Sequence, residues 1–215
     1  MVKKARDPMS FLTHFIGLIF SIIGSIYFIF VLLVNGSTNG RAYFSVIAFG
    51  IGLIGLYFAS SYYHYFQGDE KKILRLKKLD HAMIFILIAG SYTPYCLLGL
   101  GNMTGYVLLG AVWIVSIAGV FMMVFWINMP RWLNTGLYIG LGWFALFTIV
   151  PLYYALSIDA FILLVSGGVL YTIGGIIYGI KKPNPWEGFG SHEIFHLFVM
   201  GGSACQYLGA LKILF

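Results

Sequence analysis

The sequence predicts an all-α membrane protein, a bundle of seven transmembrane helices, and three observations lead there. The 215 residues are 60% hydrophobic and only 9% charged, whereas soluble domains carry about 25% charged residues. No Asp, Glu, Lys or Arg falls in 8–40, 42–68, 82–130, 132–158, 160–180 or 194–211, and a bilayer core about 30 Å thick asks for such runs of roughly 20 residues. The runs lack the apolar/polar alternation of a membrane barrel. Two cysteines, both in apolar stretches, exclude a disulfide framework and a cysteine metal cluster.

The elements follow from length and breakers. The first span is expected over about 11–34, ending at the turn-forming run Asn35-Gly36-Ser37-Thr38-Asn39-Gly40. The second covers about 43–66. The third begins near Asp80 and ends around residue 98, ahead of Gly99 and Gly101. The fourth takes about 104–127, stopped by Asn128-Met129-Pro130. The fifth occupies about 134–156, and a three-residue break separates it from the sixth, about 160–180. Lys181-Lys182-Pro183-Asn184-Pro185 forces an excursion before the seventh, about 191–211. Pro94 and Pro151 are expected to kink or loosen their helices. The 27 glycines read as close helix packing.

Orientation follows from Lys and Arg. One side of a seven-span chain receives Lys3, Lys4, Arg6, Lys71, Lys72, Arg75, Lys77, Lys78, Arg131, Lys181 and Lys182, and the other only Arg41 and Lys212. This bias predicts a cytoplasmic N-terminus and an outer C-terminus. It also accounts for the net charge of +6 without nucleic acid. Membrane lipids are the expected partners.

An ionisable side chain within a span is costly and marks a candidate site. All five histidines thread to the same end of the bundle. His14 opens the first span, His64 closes the second, His81 opens the third, and His192 and His196 open the seventh, with Asp80 and Glu193 beside them. His192 and His196, four apart, share one helix face and can share a metal. Ser60 stands at the same spacing from His64. Three imidazoles from two helices, with a fourth position open, describe a catalytic-type zinc site. Histidines at helix ends are also at home at the wet interface, and His14 and His81 fit that reading as readily. Ser60 could simply back-bond within its helix, and Asp80 could be an acid favoured by the helix N-terminus.

Two motif matches compete. Gly50-Ile-Gly52-Leu-Ile-Gly55 spells a dinucleotide fingerprint, but without a preceding strand it cannot cradle a phosphate. His192-Glu193-Ile194-Phe195-His196 spells the zinc-protease signature, in which the glutamate is the base. No carboxylate or histidine follows it to serve as third ligand, whereas His64 is available upstream.

Ser60-x-x-x-His64, Asp80-His81 leading to Gly90-Ser91-Tyr92-Thr93-Pro94, and Phe189-Gly190-Ser191-His192-Glu193-Ile194-Phe195-His196 resemble the motifs of bacterial haemolysin III proteins, members of the progestin and adipoQ receptor family. Thr13-His14-Phe15-Ile16-Gly17 is similar to the family's first-helix signature, while the acidic segment usual before it is reduced to Asp7. The resemblance implies a bacterial plasma-membrane protein with one zinc ion near the cytoplasmic face. His64, His192 and His196 would be ligands, Asp80 would handle the proton of water, and Ser60 would stand nearby. Its likeness to alkaline ceramidases implies hydrolysis of lipid amides or esters. The alternative is a non-catalytic membrane effector, a cytolysin or a receptor-like regulator of lipid state, with structural zinc.

Overall fold

The computed structural model describes residues 5–126 and 128–214. Seven helical spans cross in succession. The first three are α1 (Pro8–Val34), α2 (Gly40–Tyr65) and α3 (Glu70–Pro94), the last extended by a π-helical turn over Tyr95–Leu100. The fourth is α4 (Met103–Phe125). The fifth is composite: α5 (Arg131–Gly142), a 3-10 stretch over Trp143–Thr148, and α6 (Ile149–Ala155). The last two are α7 (Ile158–Ile180) and α8 (Ser191–Leu214). Among the described residues there is no strand. Lys3, Lys4 and Ile127, the expected end of the fourth span, lie outside the described residues.

Consecutive helices pack on one another, and α1 closes the bundle against α8. Phe28, Phe49, Leu53 and Tyr57 fill the seam among α1, α2, α3 and α8. Phe85, Val112, Met123 and Leu141 fill the seam among α3, α4 and α5. Large side chains such as Phe20, Ile26, Val107, Ile114 and Phe125 point outward, as lipid-facing positions must. The glycine run on α2 is a packing surface. A Cβ on Gly52 would sit 2.9 Å from the Leu87 Cα, and one on Gly90 2.8 Å from the Ala48 carbonyl oxygen. Only glycine lets these two backbones touch.

Two expectations need correction. The third helix does not start at Asp80 but ten residues earlier, at Glu70, so Asp80 lies in its third turn. The Asp69 side chain caps the helix by accepting from the Lys71 N–H. The run Lys71-Lys72-Ile73-Leu74-Arg75-Leu76-Lys77-Lys78 consists largely of good helix formers. Hydropathy marks where a helix meets lipid, not where it begins, so this extension of roughly 15 Å read as loop.

The fifth span is not one regular helix. The Tyr92 hydroxyl of α3 enters it, donating to the Gly142 carbonyl at 2.6 Å and accepting from the Ala145 N–H at 2.8 Å. A side chain inserted into the i→i−4 ladder breaks it, and the chain passes through 3-10 geometry before resuming around Pro151. Pro94 likewise precedes the π-helical turn, which Gly101 closes at φ +60°.

Candidate metal centre

The basic end of the bundle gathers the histidines. His64 sits on the last turn of α2, and His192 and His196 sit one turn apart at the start of α8. Each offers a ligand atom within 4.8 Å of the other two. The His64 and His192 Nε2 atoms lie 3.2 Å apart. Two nitrogens bound to one tetrahedral zinc at about 2.05 Å would be about 3.3 Å apart, so the observed separation fits a shared cation.

The surrounding contacts fix which ring nitrogens are free. His64 Nδ1 donates to the Asp7 carboxylate at 2.9 Å, leaving Nε2 as a lone pair. That hydrogen bond, with Arg6 assisting, holds the Asp7 carboxyl below the usual carboxylate range. The Thr13 hydroxyl has one hydrogen, directed at the Met9 and Ser10 carbonyls of its own helix. With that hydrogen on its own helix, the hydroxyl accepts from His196 Nδ1, 3.1 Å away, the tautomer that leaves His196 Nε2 unprotonated. Metal-ligating histidines are oriented by outer partners of this kind. Sequence reasoning named Asp7 and Thr13 but gave neither a role at the site. The available signals were that Asp7 is the sole acid ahead of the first span and that Thr13 precedes a histidine.

The remaining polar residues line a chamber of about 140 Å³ that runs from this end toward Tyr95 and Gln206. Ser60 and Asp80 line it with His14, His192 and His196. Ser60 does not back-bond within its helix: its buried Oγ has no hydrogen-bond partner, and the neighbouring Ser61 makes the carbonyl contact instead. Asp80 is 7% exposed, with an oxygen 3.5 Å from His81 Nδ1. His81 donates from that nitrogen to the Lys77 carbonyl at 2.9 Å, so it is turned toward its own helix. His14 is not at the wet interface. It is 3% exposed and stacks on His196 with ring centroids 3.5 Å apart.

Glu193 stands apart from the chamber. Its carboxylate accepts from the Ser10 hydroxyl of α1 and, at 2.8 Å, from the Gly190 N–H. It caps α8 and fastens it to α1, a structural task that occupies the oxygens a protease base would need free.

Fold and site together define a seven-span membrane protein whose three clustered histidines can hold a metal ion at one end of an apolar chamber. The chain belongs to the haemolysin-III-related family, whose model matches residues 2–207. It is 35% identical over 200 residues to the Hemolysin-3 homolog of Bacillus subtilis (strain 168), covering 93% of this chain and 90% of that one. It is 36% identical over 205 residues to Hemolysin-3 of Bacillus cereus, covering 93% and 88%. A more distant likeness, 27% over 219 residues, joins it to the adiponectin receptor protein of Drosophila melanogaster, covering 92% of this chain and 48% of the receptor. It is a multi-pass protein of the bacterial cell membrane.

Proposed function

We propose that the protein is a zinc-dependent intramembrane hydrolase of lipid amides or esters. The observation that carries the reading is the pair of Nε2 atoms 3.2 Å apart at the polar end of an otherwise apolar chamber. His64, His192 and His196 would hold one zinc ion, with Asp7 and Thr13 setting the tautomers of two of them. When bound, zinc supplies Lewis acidity, polarising a carbonyl oxygen and bringing the pKa of water toward 7. Asp80 takes a proton from water and returns it to the leaving group. Ser60, with a free hydroxyl, orients water or the scissile group from α2, one turn from His64. The apolar stretch of the chamber along Leu87, Leu108 and Leu152 takes the acyl chain. The excess of Lys and Arg at this end supports a cytoplasmic setting for it.

Metal analysis of purified protein, paired with a fluorescent lipid-amide assay, tests the reading. We expect one zinc per chain, lost when His192 and His196 both become Ala. Asp80→Asn should keep the metal and lose turnover by a factor of about 10²–10⁴, whereas Glu193→Gln should keep both. Metal absent from the wild type, or retained in the double alanine variant, overturns the proposal. The name of the Bacillus cereus relative attributes haemolysis to that protein. Lysis that survives Asp80→Asn with zinc bound would favour a non-catalytic effector with structural zinc.

A further inference from the structure

Seven buried side-chain atoms among the described residues have no hydrogen-bond partner. Two belong to Ser25 and Ser116, away from the chamber. The other five belong to His14, Ser60, Asn134 and Thr135, and all four residues line it. Buried polar groups are nearly always paired, so their concentration on one wall-to-wall space points to a ligand that supplies the missing partners. His14 contributes both ring nitrogens, and its neutral imidazole offers one donor and one acceptor. Asn134 contributes Oδ1 and Thr135 its hydroxyl, from the first turn of α5.

The geometry separates these groups from the metal ligands. His14 lies flat on His196, the planes 12° apart, and edge-on to Tyr57 at 5.1 Å. A ligating imidazole presents its lone pair in its own plane. The His14 nitrogens therefore lie one ring thickness away from the plane in which His196 binds, beside the metal position and out of bonding reach. Asn134 Oδ1, a pure acceptor, has no partner in the protein and lines the chamber.

We propose that His14, Asn134 and Thr135 form a head-group subsite that takes an uncharged lipid head carrying both a carbonyl acceptor and its own N–H or O–H donor. His14 donates to the acyl carbonyl, and Asn134 and Thr135 read the donor. A free fatty acid is disfavoured because its carboxylate would meet Asp80 and the Asn134 oxygen. A simple ester can satisfy His14 but leaves Asn134 unpaired. The proposal rests on the lipid-substrate reading above and adds the residues that select the head.

Binding tests it without turnover, on a chelator-treated variant in which the other four of the five tryptophans are Phe and only Trp143, a chamber-lining residue, remains. The probes are an N-acylethanolamine and the methyl ester of the same brominated fatty acid, read by quenching of Trp143. Wild type should prefer the amide by at least about tenfold, the penalty for leaving one buried acceptor unpaired. Asn134→Leu with Thr135→Val should bring the ratio to about one while ester binding persists, which also shows that the variant is folded. His14→Phe keeps a ring for the stack and should weaken both probes by a similar factor, and His14→Gln should restore part of it. Equal binding of the two probes by wild type, an unchanged ratio in the Asn134/Thr135 variant, or unaltered binding in His14→Phe overturns the subsite. Zinc content and hydrolysis by the native protein stand or fall separately.

Discussion

Thr13 shows how much of a candidate metal site can depend on a residue that would never touch the ion. With its single hydroxyl hydrogen on backbone carbonyls, Thr13 turns a lone pair to His196 Nδ1 and favours the tautomer with Nε2 free. Asp7 does the same for His64 through a charge-assisted bond. Thr13→Val, nearly isosteric, should weaken zinc binding by about 10–100-fold, measured by competition with a chromophoric chelator. Asp7→Ala should do likewise, and Asp7→Asn, which keeps an acceptor oxygen, should lose less. An affinity unchanged in Thr13→Val would show that the tautomer is set elsewhere. The candidate ligands were legible at this scale because i, i+4 spacing puts His192 and His196 on one face. The roles of Thr13 and His14 were not, because no periodicity within α1 says which helix its polar edge will meet. That edge meets α8, the most distant helix in the chain.

Among elements, the seven spans could be read from charge-free length alone, while their internal irregularities could not. The 3-10 stretch over Trp143–Thr148 exists because Tyr92, some fifty residues away, takes over the Gly142 carbonyl and the Ala145 N–H. No window of local sequence holds that information. The start of α3 was missed for a different reason: a capped, basic helix outside the bilayer looks like a charged loop to any measure of hydropathy. The seam between α2 and α3 yields a test. At Gly52 and Gly90 an added Cβ would approach backbone atoms of the facing helix to 2.9 and 2.8 Å, and backbone cannot rotate away as a side chain can. Gly52→Ala and Gly90→Ala should each destabilise the protein by about 1–3 kcal/mol, read as a lowered unfolding temperature in detergent. Gly110→Ala, with open space around the new carbon, should be tolerated.

At the scale of the whole molecule, the candidate ligands join α2 to α8, and their outer partners come from the start of α1 and the residue ahead of it. A cation held there would be bound only by the assembled bundle. Zinc at about 100 times its dissociation constant should then stabilise the fold by about 2.7 kcal/mol. Thermal unfolding of chelator-treated protein with and without added zinc should show an upward shift of several degrees, absent when His64, His192 and His196 become Ala. The same arrangement bears on biosynthesis. His196 is made 183 residues after Thr13, its hydrogen-bond partner. A nascent chain stalled before α8 has neither the two α8 candidate ligands nor the Ser10–Glu193 clasp. Metal capture would thus report that α8 has joined the bundle, and a product truncated ahead of α8 would be distinguishable by its inability to retain the ion.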